Sequence, residues 1–325
     1  MLKKILDLIK NHENFLITSH VNPDGDSIGS EIALYKYLIK QGKKVSVINY
    51  SKTPDNYLFL DSGNIIQQFD ENRHKQLISD SDVIFILDTN EYSRLKSMAP
   101  LIKESHAKKV CIDHHLGESN GFDYYFCDTD SPATGEILFK MFTLNGINNI
   151  DKEIAVPLYT AIMTDTGSFR FPRTDSETHQ IAAKLIEHGA DPVSIFNEVY
   201  DKAPLGRIKL LSRFLNTLKT AYDNKLAYAH IYLKDFEETG TNVFDTEGFS
   251  HHLMSINTVQ MGIIFTQTPR GVKISFRSKG EIYVNNLAKE FGGGGHMNAA
   301  GAWVDNGDMD KLTEEVITKT KKYIK

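Results

Sequence analysis

Short apolar runs alternate with stretches of helical periodicity along the first half of the chain. FLITS (15–19), KVSVIN (44–49), DVIFILD (82–88), KVCID (109–113) and YYFCD (124–128) have strand length and are rich in Val and Ile. Between the first two, Ser27 to Gln41 shows helical spacing and is closed by Gly42. A strand apolar at successive positions buries both faces, so the pattern predicts a mostly parallel, doubly wound sheet with helices on either side. The first ten residues, MLKKILDLIK, are amphipathic and no small-residue cleavage site follows, so they read as a first helix. Helical patterns take over from Ala133 to about Tyr222, among them EIAVPLYTAIMTD and ETHQIAAKLIEHG. From Lys225 strands return as LAYAHIYL, GIIFTQ and VKISFR, before a closing helical segment, DKLTEEVITKTKKYI. The expected organisation is an α/β domain over 1–190, a helical connector over 191–224 and a second, smaller α/β domain over 225–325.

Ligands of parallel sheets gather outside the carboxyl ends of the strands, and those ends are polar here in a repeated way. FLITS runs into His20, DVIFIL into Asp88, and KVCI into Asp113, His114 and His115. The stretch SHVNPDGDSIGS adds Asp24 and Asp26. Turn chemistry explains Pro23 and Gly25, and Ser27 has the side chain of a helix N-cap. It gives no reason for His20 or for two carboxylates. Asp165 closes EIAVPLYTAIMTD, so that His20, Asp24, Asp26, Asp88, His114 and Asp165 offer a set of imidazole and carboxylate donors. Acids gathered this closely repel and desolvate badly without cations, and two divalent ions would relieve that cost. A carboxylate-rich donor set without thiolates suits Mn²⁺ or Mg²⁺ better than structural zinc.

Composition narrows the partners. The 325 residues carry a formal net charge of −5, whereas a protein that tracks long nucleic acid neutralises many phosphates with a basic face. Long duplex is therefore excluded and any nucleic-acid ligand is expected to be short. No apolar run approaches the length of a membrane span. Cys111 and Cys127 sit in strand-like runs without a CxxC spacing, as expected of buried thiols in a reducing cytoplasm. The sequence leaves the oligomeric state open, a homodimer included.

These motifs, in this order, resemble the DHH phosphoesterase superfamily. HVNPDGDSIGS is similar to its first motif, ILDTN to its second, the DHH tripeptide at 113–115 to its third and MTDTGSF (163–169) to its fourth. SFRSKG and FGGGGHMNAAG resemble the associated C-terminal domain, so the likeness spans nearly the whole chain. It implies that His20 and Asp24 hold one Mn²⁺, that Asp26, His114 and Asp165 hold the other, and that Asp88 bridges both. It also implies that Asp113 orients the site while His115 faces the substrate phosphate, which makes Asp88, Asp113 and His115 the catalytic candidates. Such a metal pair activates water for in-line attack and neutralises the phosphoryl oxygens.

The C-terminal glycines extend the reading to the substrate. Gly292 to Gly295 follow the helical VNNLAKEF; a helix C-cap needs one glycine or two, and four leave bare amides free to approach an anion. The resemblance makes Arg277, Ser278, Gly293, Gly294, Gly295 and His296 the candidates for binding the substrate's non-scissile end, Arg277 as a bidentate phosphate donor. Metals in one domain and a clamp in the other would limit ligand length. Within the superfamily the chain resembles the nanoRNase and pAp phosphatase type and the stand-alone pApA or cyclic di-AMP phosphodiesterases. The implied substrates are RNAs of a few nucleotides, cleaved to mononucleotides, and pAp. Alternatives are a cyclic di-AMP phosphodiesterase, an inorganic pyrophosphatase or exopolyphosphatase, and a nucleotide- or RNA-binding protein without activity. The full set of metal donors argues against the last.

Overall fold

The apolar runs of the first half become strands of one parallel sheet in the computed structural model, which describes residues 1–117, 120–144 and 146–324. The chain divides into two compact units, Met1–Lys202 and Ala203–Lys325. In the first, β1 (Asn14–Thr18), β2 (Lys44–Asn49), β3 (Ile66–Gln68), β4 (Val83–Leu87), β5 (Lys108–Asp113) and β6 (Tyr124–Cys127) lie side by side in the order β3-β2-β1-β4-β5-β6. Every neighbouring pair is parallel. The three-residue edge strand β3 is too short for its alternation to stand out in the sequence. On β4, Val83, Phe85 and Leu87 enter one core while Ile84 and Ile86 enter the other. That two-sided burial is why its sequence is apolar without alternation.

Strand order reverses its direction of winding between β1 and β4, which makes their carboxyl ends the topological switch point where α/β sheets bind ligands. Helix Gly25–Lys40 leaves this edge. Its N-cap is Asp24 rather than Ser27: Asp24 Oδ1 accepts the N–H groups of Asp26 and Ser27, each at 3.1 Å. The cap lies three residues earlier than Ser27 would place it, and the Ser27 hydroxyl is released for the site.

Small residues let three helices meet behind the switch point. A Cβ on Gly25 would collide with the Thr164 side chain and one on Gly29 with the Pro157 carbonyl, both on helix Lys152–Asp165. A Cβ on Gly135, in helix Thr134–Thr143, would come within 2.5 Å of the Ala161 methyl. The close approach brings Asp26, the first amides of helix Thr134–Thr143 and the end of helix Lys152–Asp165 to one place.

The second unit is a mixed sheet of β7 (Lys219–Ala221), β8 (Leu226–Ile231), β9 (Met261–Thr268), β10 (Gly271–Ser278), β11 (Gly294–His296) and β12 (Ala299–Asp305), in the order β11-β12-β10-β9-β8-β7. Only β8 and β9 run parallel. Helices Pro192–Tyr200 and Leu205–Asn216 form the helical stretch between the sheets, one on each side of the division. The glycine run is more ordered than a loose turn. Gly292, at φ +73°, ends helix Val284–Lys289 in the left-handed conformation, and Gly294 and Gly295 pair with Gly301 and Ala300 in an edge strand.

Candidate metal centre

Four strand-end or helix-end segments of the first unit deliver the predicted donors to the switch point. Asp88 follows β4 with φ +58°, and its N–H is tied to the Ile112 carbonyl of β5 at 3.0 Å. Its carboxylate is buried, accepts the Ser27 hydroxyl at 2.7 Å and the Thr134 hydroxyl at 3.2 Å, and lies 3.3 Å from His20 Nε2 and 3.5 Å from His114 Nε2. Asp26, also buried, accepts the backbone N–H of Thr134 at 2.7 Å and of Gly135 at 2.9 Å. It thereby caps a helix whose own N-cap, Ala133, supplies no side-chain acceptor.

Three groups of donor atoms lie within 4.8 Å of one another: His20 with Asp24 and Asp88, Asp26 with His114 and Asp165, and Asp88 with His114 and His115. Asp88 belongs to two of them. Both buried histidines offer Nε2 to the cluster. The ring nitrogen Nδ1 of His20 sits 2.9 Å from the Val21 carbonyl, and that of His114 sits 3.2 Å from the Ser131 carbonyl. A carbonyl can only accept, so Nδ1 carries a proton and Nε2 is the atom turned toward the carboxylates; at His20 it also lies 2.7 Å from the Ser27 hydroxyl oxygen.

The fit to a divalent cation is clearest at His114. Its Nε2 is buried without a hydrogen-bond partner, with oxygens of Asp165, Asp88 and Asp26 at 3.2, 3.5 and 3.6 Å. A lone pair ringed by carboxylate oxygens attracts a cation or a proton. In the protein alone, burial disfavours the charged ring, but Asp88, Asp26 and Asp165 outweigh it and push the His114 pKa up to about 10. Burial raises Asp165 to about 7 and, with the charge of Asp88, lifts Asp26 well above the carboxylate range. Burial also opposes the charge on Asp88, yet the adjacent His114 and His20 imidazoles win and hold it well below that range. Cation binding must displace these protons.

Asp113 and His115 complete the arrangement. Asp113 Oδ1 accepts the N–H of His114 at 2.8 Å, the N–H of His115 at 3.2 Å and the His115 ring nitrogen Nδ1 at 2.8 Å. The turn and the ring orientation thus share one acceptor. His115 is the only one of the three histidines left half-exposed, which gives it room to touch a ligand. Its carbonyl accepts Asn90 Nδ2 and the Cys127 thiol, both at 3.0 Å. Sequence reasoning missed Asn90, Ser131, Thr134 and the site role of Ser27. Ser27 and Asn90 stand inside the quoted motifs without a role of their own and Ser131 and Thr134 outside them, and only the fold shows what they face.

In the second unit, register places His296 opposite Ala299 and Ala299 opposite Arg277, so Arg277 and His296 share one sheet face. Burial lowers the Arg277 pKa, and among the described residues no acidic side chain offsets it. Ser278 is already engaged, its hydroxyl donating to the Ile282 carbonyl at 2.5 Å and accepting Asn298 Nδ2 at 2.9 Å. A Cβ on Gly293 or Gly295 would run into the backbone of β12, whereas one on Gly294 would meet nothing within 4 Å.

Known proteins share this sequence and architecture. Residues 14–162 match the DHH family N-terminal domain and residues 223–323 the DHHA1 domain. The "Bifunctional oligoribonuclease and PAP phosphatase NrnA" of Thermus thermophilus is 28% identical over 97% of this chain and 92% of its own length. The protein of the same name from Bacillus subtilis is 25% identical over 99% of this chain and 100% of its own. An exopolyphosphatase-related protein from Bacteroides fragilis, 31% identical, superposes with a TM-score of 0.94 over 99% of this chain and 96% of that one.

Proposed function

The chain belongs to the DHH phosphoesterase family and carries a DHHA1 domain, and on that premise we propose that it hydrolyses RNAs of a few nucleotides to mononucleotides and dephosphorylates pAp. The observation that carries this reading is the buried cluster at the switch point, with Asp88 shared between donor groups and the His114 lone pair aimed among carboxylates. Full-length similarity to two proteins named as oligoribonuclease and PAP phosphatase supports the substrate class.

We assign His20 and Asp24 to one cation, Asp26, His114 and Asp165 to a second, and Asp88 to both. The absence of thiolates among these donors favours Mn²⁺ or Mg²⁺ over structural zinc, and the family membership favours Mn²⁺ of the two. Bound cations would supply charge neutralisation at phosphorus and a water of lowered pKa. The chain's own groups do the rest. Asp113 holds the His115 ring through Nδ1 and turns it toward the substrate phosphate, and Ser27 fixes Asp88 against His20. Arg277, Gly294 and His296 receive the far end of the substrate. Turnover of a panel of pAp, pApA, a pentanucleotide RNA, cyclic di-AMP and pyrophosphate with Mn²⁺ tests the proposal. Faster release from pyrophosphate than from pApA would replace it with the polyphosphate reading, which the name of the Bacteroides fragilis protein suggests.

Gly294 gives a sharper test of the clamp, because nothing in the fold requires a glycine there. Gly294→Ala is expected to leave the melting temperature unchanged and to raise KM for pApA. Gly295→Ala, at φ +140° and against the Ala299 carbonyl, is expected to destabilise by about 1–3 kcal/mol. An unchanged KM in Gly294→Ala would remove this segment from the substrate site.

A further inference from the structure

Half of one face of the second sheet carries no apolar layer among the described residues. Along β10 the buried Val272, Ile274 and Phe276 alternate with the half-buried Lys273, Ser275 and Arg277. Along β12 the buried Ala300 and Ala302 alternate with Ala299, Gly301 and Trp303. Register sets Arg277 opposite Ala299, Ser275 opposite Gly301 and Lys273 opposite Trp303, so all six look out from the same face. Ile264 of β9 continues that face opposite Ser275 and packs, with Ala227, Ala229 and Ile231 of β8, beneath helices Leu205–Asn216, Leu233–Thr239 and Phe249–Met254. No residue of β10 or β12 joins that cluster.

The open strip has a distinct chemistry. Its floor is Ala299, Gly301 and Ser275, with no bulk to obstruct a flat ligand. Among the described residues, neither Lys273 nor Arg277 makes an ion pair. Trp303 is 44% exposed, and its indole N–H donates to Asp305 at 2.9 Å, which steadies the ring while leaving it accessible. Lys273 lies four residues from Arg277, about 13 Å along the strand, farther than one internucleotide step. A protein partner would find little apolar area here beyond one indole. Single-stranded nucleic acid takes what the strip offers, cations for phosphates and an aromatic face for a base of any identity.

We propose that this face is a track for single-stranded RNA beyond the nucleotides held at Arg277, with Lys273 contacting a phosphate and Trp303 stacking a base. The proposal rests on the oligoribonuclease reading and supplies its length preference: the track adds affinity for trimers and longer RNAs and nothing for dinucleotides or pAp. Trp303 is the protein's only tryptophan, so its fluorescence reports the track alone. In EDTA, to prevent turnover, a pentanucleotide is expected to quench Trp303 and pApA to leave it nearly unchanged. With Mn²⁺, Trp303→Ala and Lys273→Ala are each expected to raise KM for the pentanucleotide at least about fivefold, in line with the cost of losing a stacked base, at unchanged kcat/KM for pApA. Trp303→Phe should recover most of the loss, which a merely structural role would not predict. Absence of quenching, or equal losses on both substrates, would overturn the track. Quenching without hydrolysis of any RNA would uphold the track and overturn the proposed activity.

Discussion

Asp88→Asn is expected to abolish turnover while the protein stays folded. Asp88 stands in two of the three donor groups found among the described residues, and a neutral amide replaces a negative charge that the imidazoles of His20 and His114 cannot supply. Asparagine also suits the backbone, because Asp88 has φ +58° and Asn tolerates the left-handed region. Alanine is the less clean variant. It should lose activity equally but add about 1 kcal/mol of backbone strain, and it would strip acceptors from the Ser27 and Thr134 hydroxyls. Calorimetric titration with Mn²⁺ should show fewer or weaker sites in Asp88→Asn than in the parent. Near-parental turnover of pApA at saturating Mn²⁺ would rule out a bridging role.

Arg277→Ala is expected to cost at least tenfold in kcat/KM on pApA with metal binding intact. The guanidinium is half-buried and, among the described residues, has no acidic neighbour to offset its desolvation, so an anionic ligand gains more from it than from a solvated cation. Removing one partner of a desolvated charge pair costs about 2–5 kcal/mol. The loss should fall mainly on KM, and on kcat as far as remote contacts orient the scissile phosphate. A generic ester such as bis-p-nitrophenyl phosphate has no terminal group to hold and should be affected much less. Equal losses on both substrates would mean that Arg277 serves the sheet instead.

The first sheet was legible because its strands are buried on both faces and end in polar residues. FLITS, DVIFIL and KVCI read as buried strands, whereas the strand order that makes their ends a switch point was not readable from them. The donors were legible as types at strand ends. Their mutual arrangement was not, since Asp26 reaches the cluster only because Gly25, Gly29 and Gly135 allow three helices to close. The cap was misplaced because Asp24 and Ser27 are both good caps, and the choice depends on Asp88 and His20 engaging Ser27. The edge strands β3, β7 and β11 have three residues each, below the length at which periodicity speaks. In β11 the glycine run hid a strand behind a composition that normally marks loops. Asn90 could not be read at all, for its partner is a backbone carbonyl 25 residues away.

The double employment of Asp26 bears on how this site can evolve. Its carboxylate stands in a donor group with His114 and Asp165 and, at the same time, starts helix Thr134–Thr143 through two backbone amides. A lost cap typically costs about 1 kcal/mol, and here the acceptor is buried, so a lineage drifting away from hydrolysis would lose stability before it gained any new use for the pocket. A descendant that had given up catalysis would therefore be expected to keep Asp26 as a fossil of the chemistry after more exposed donors such as Asp24 had gone.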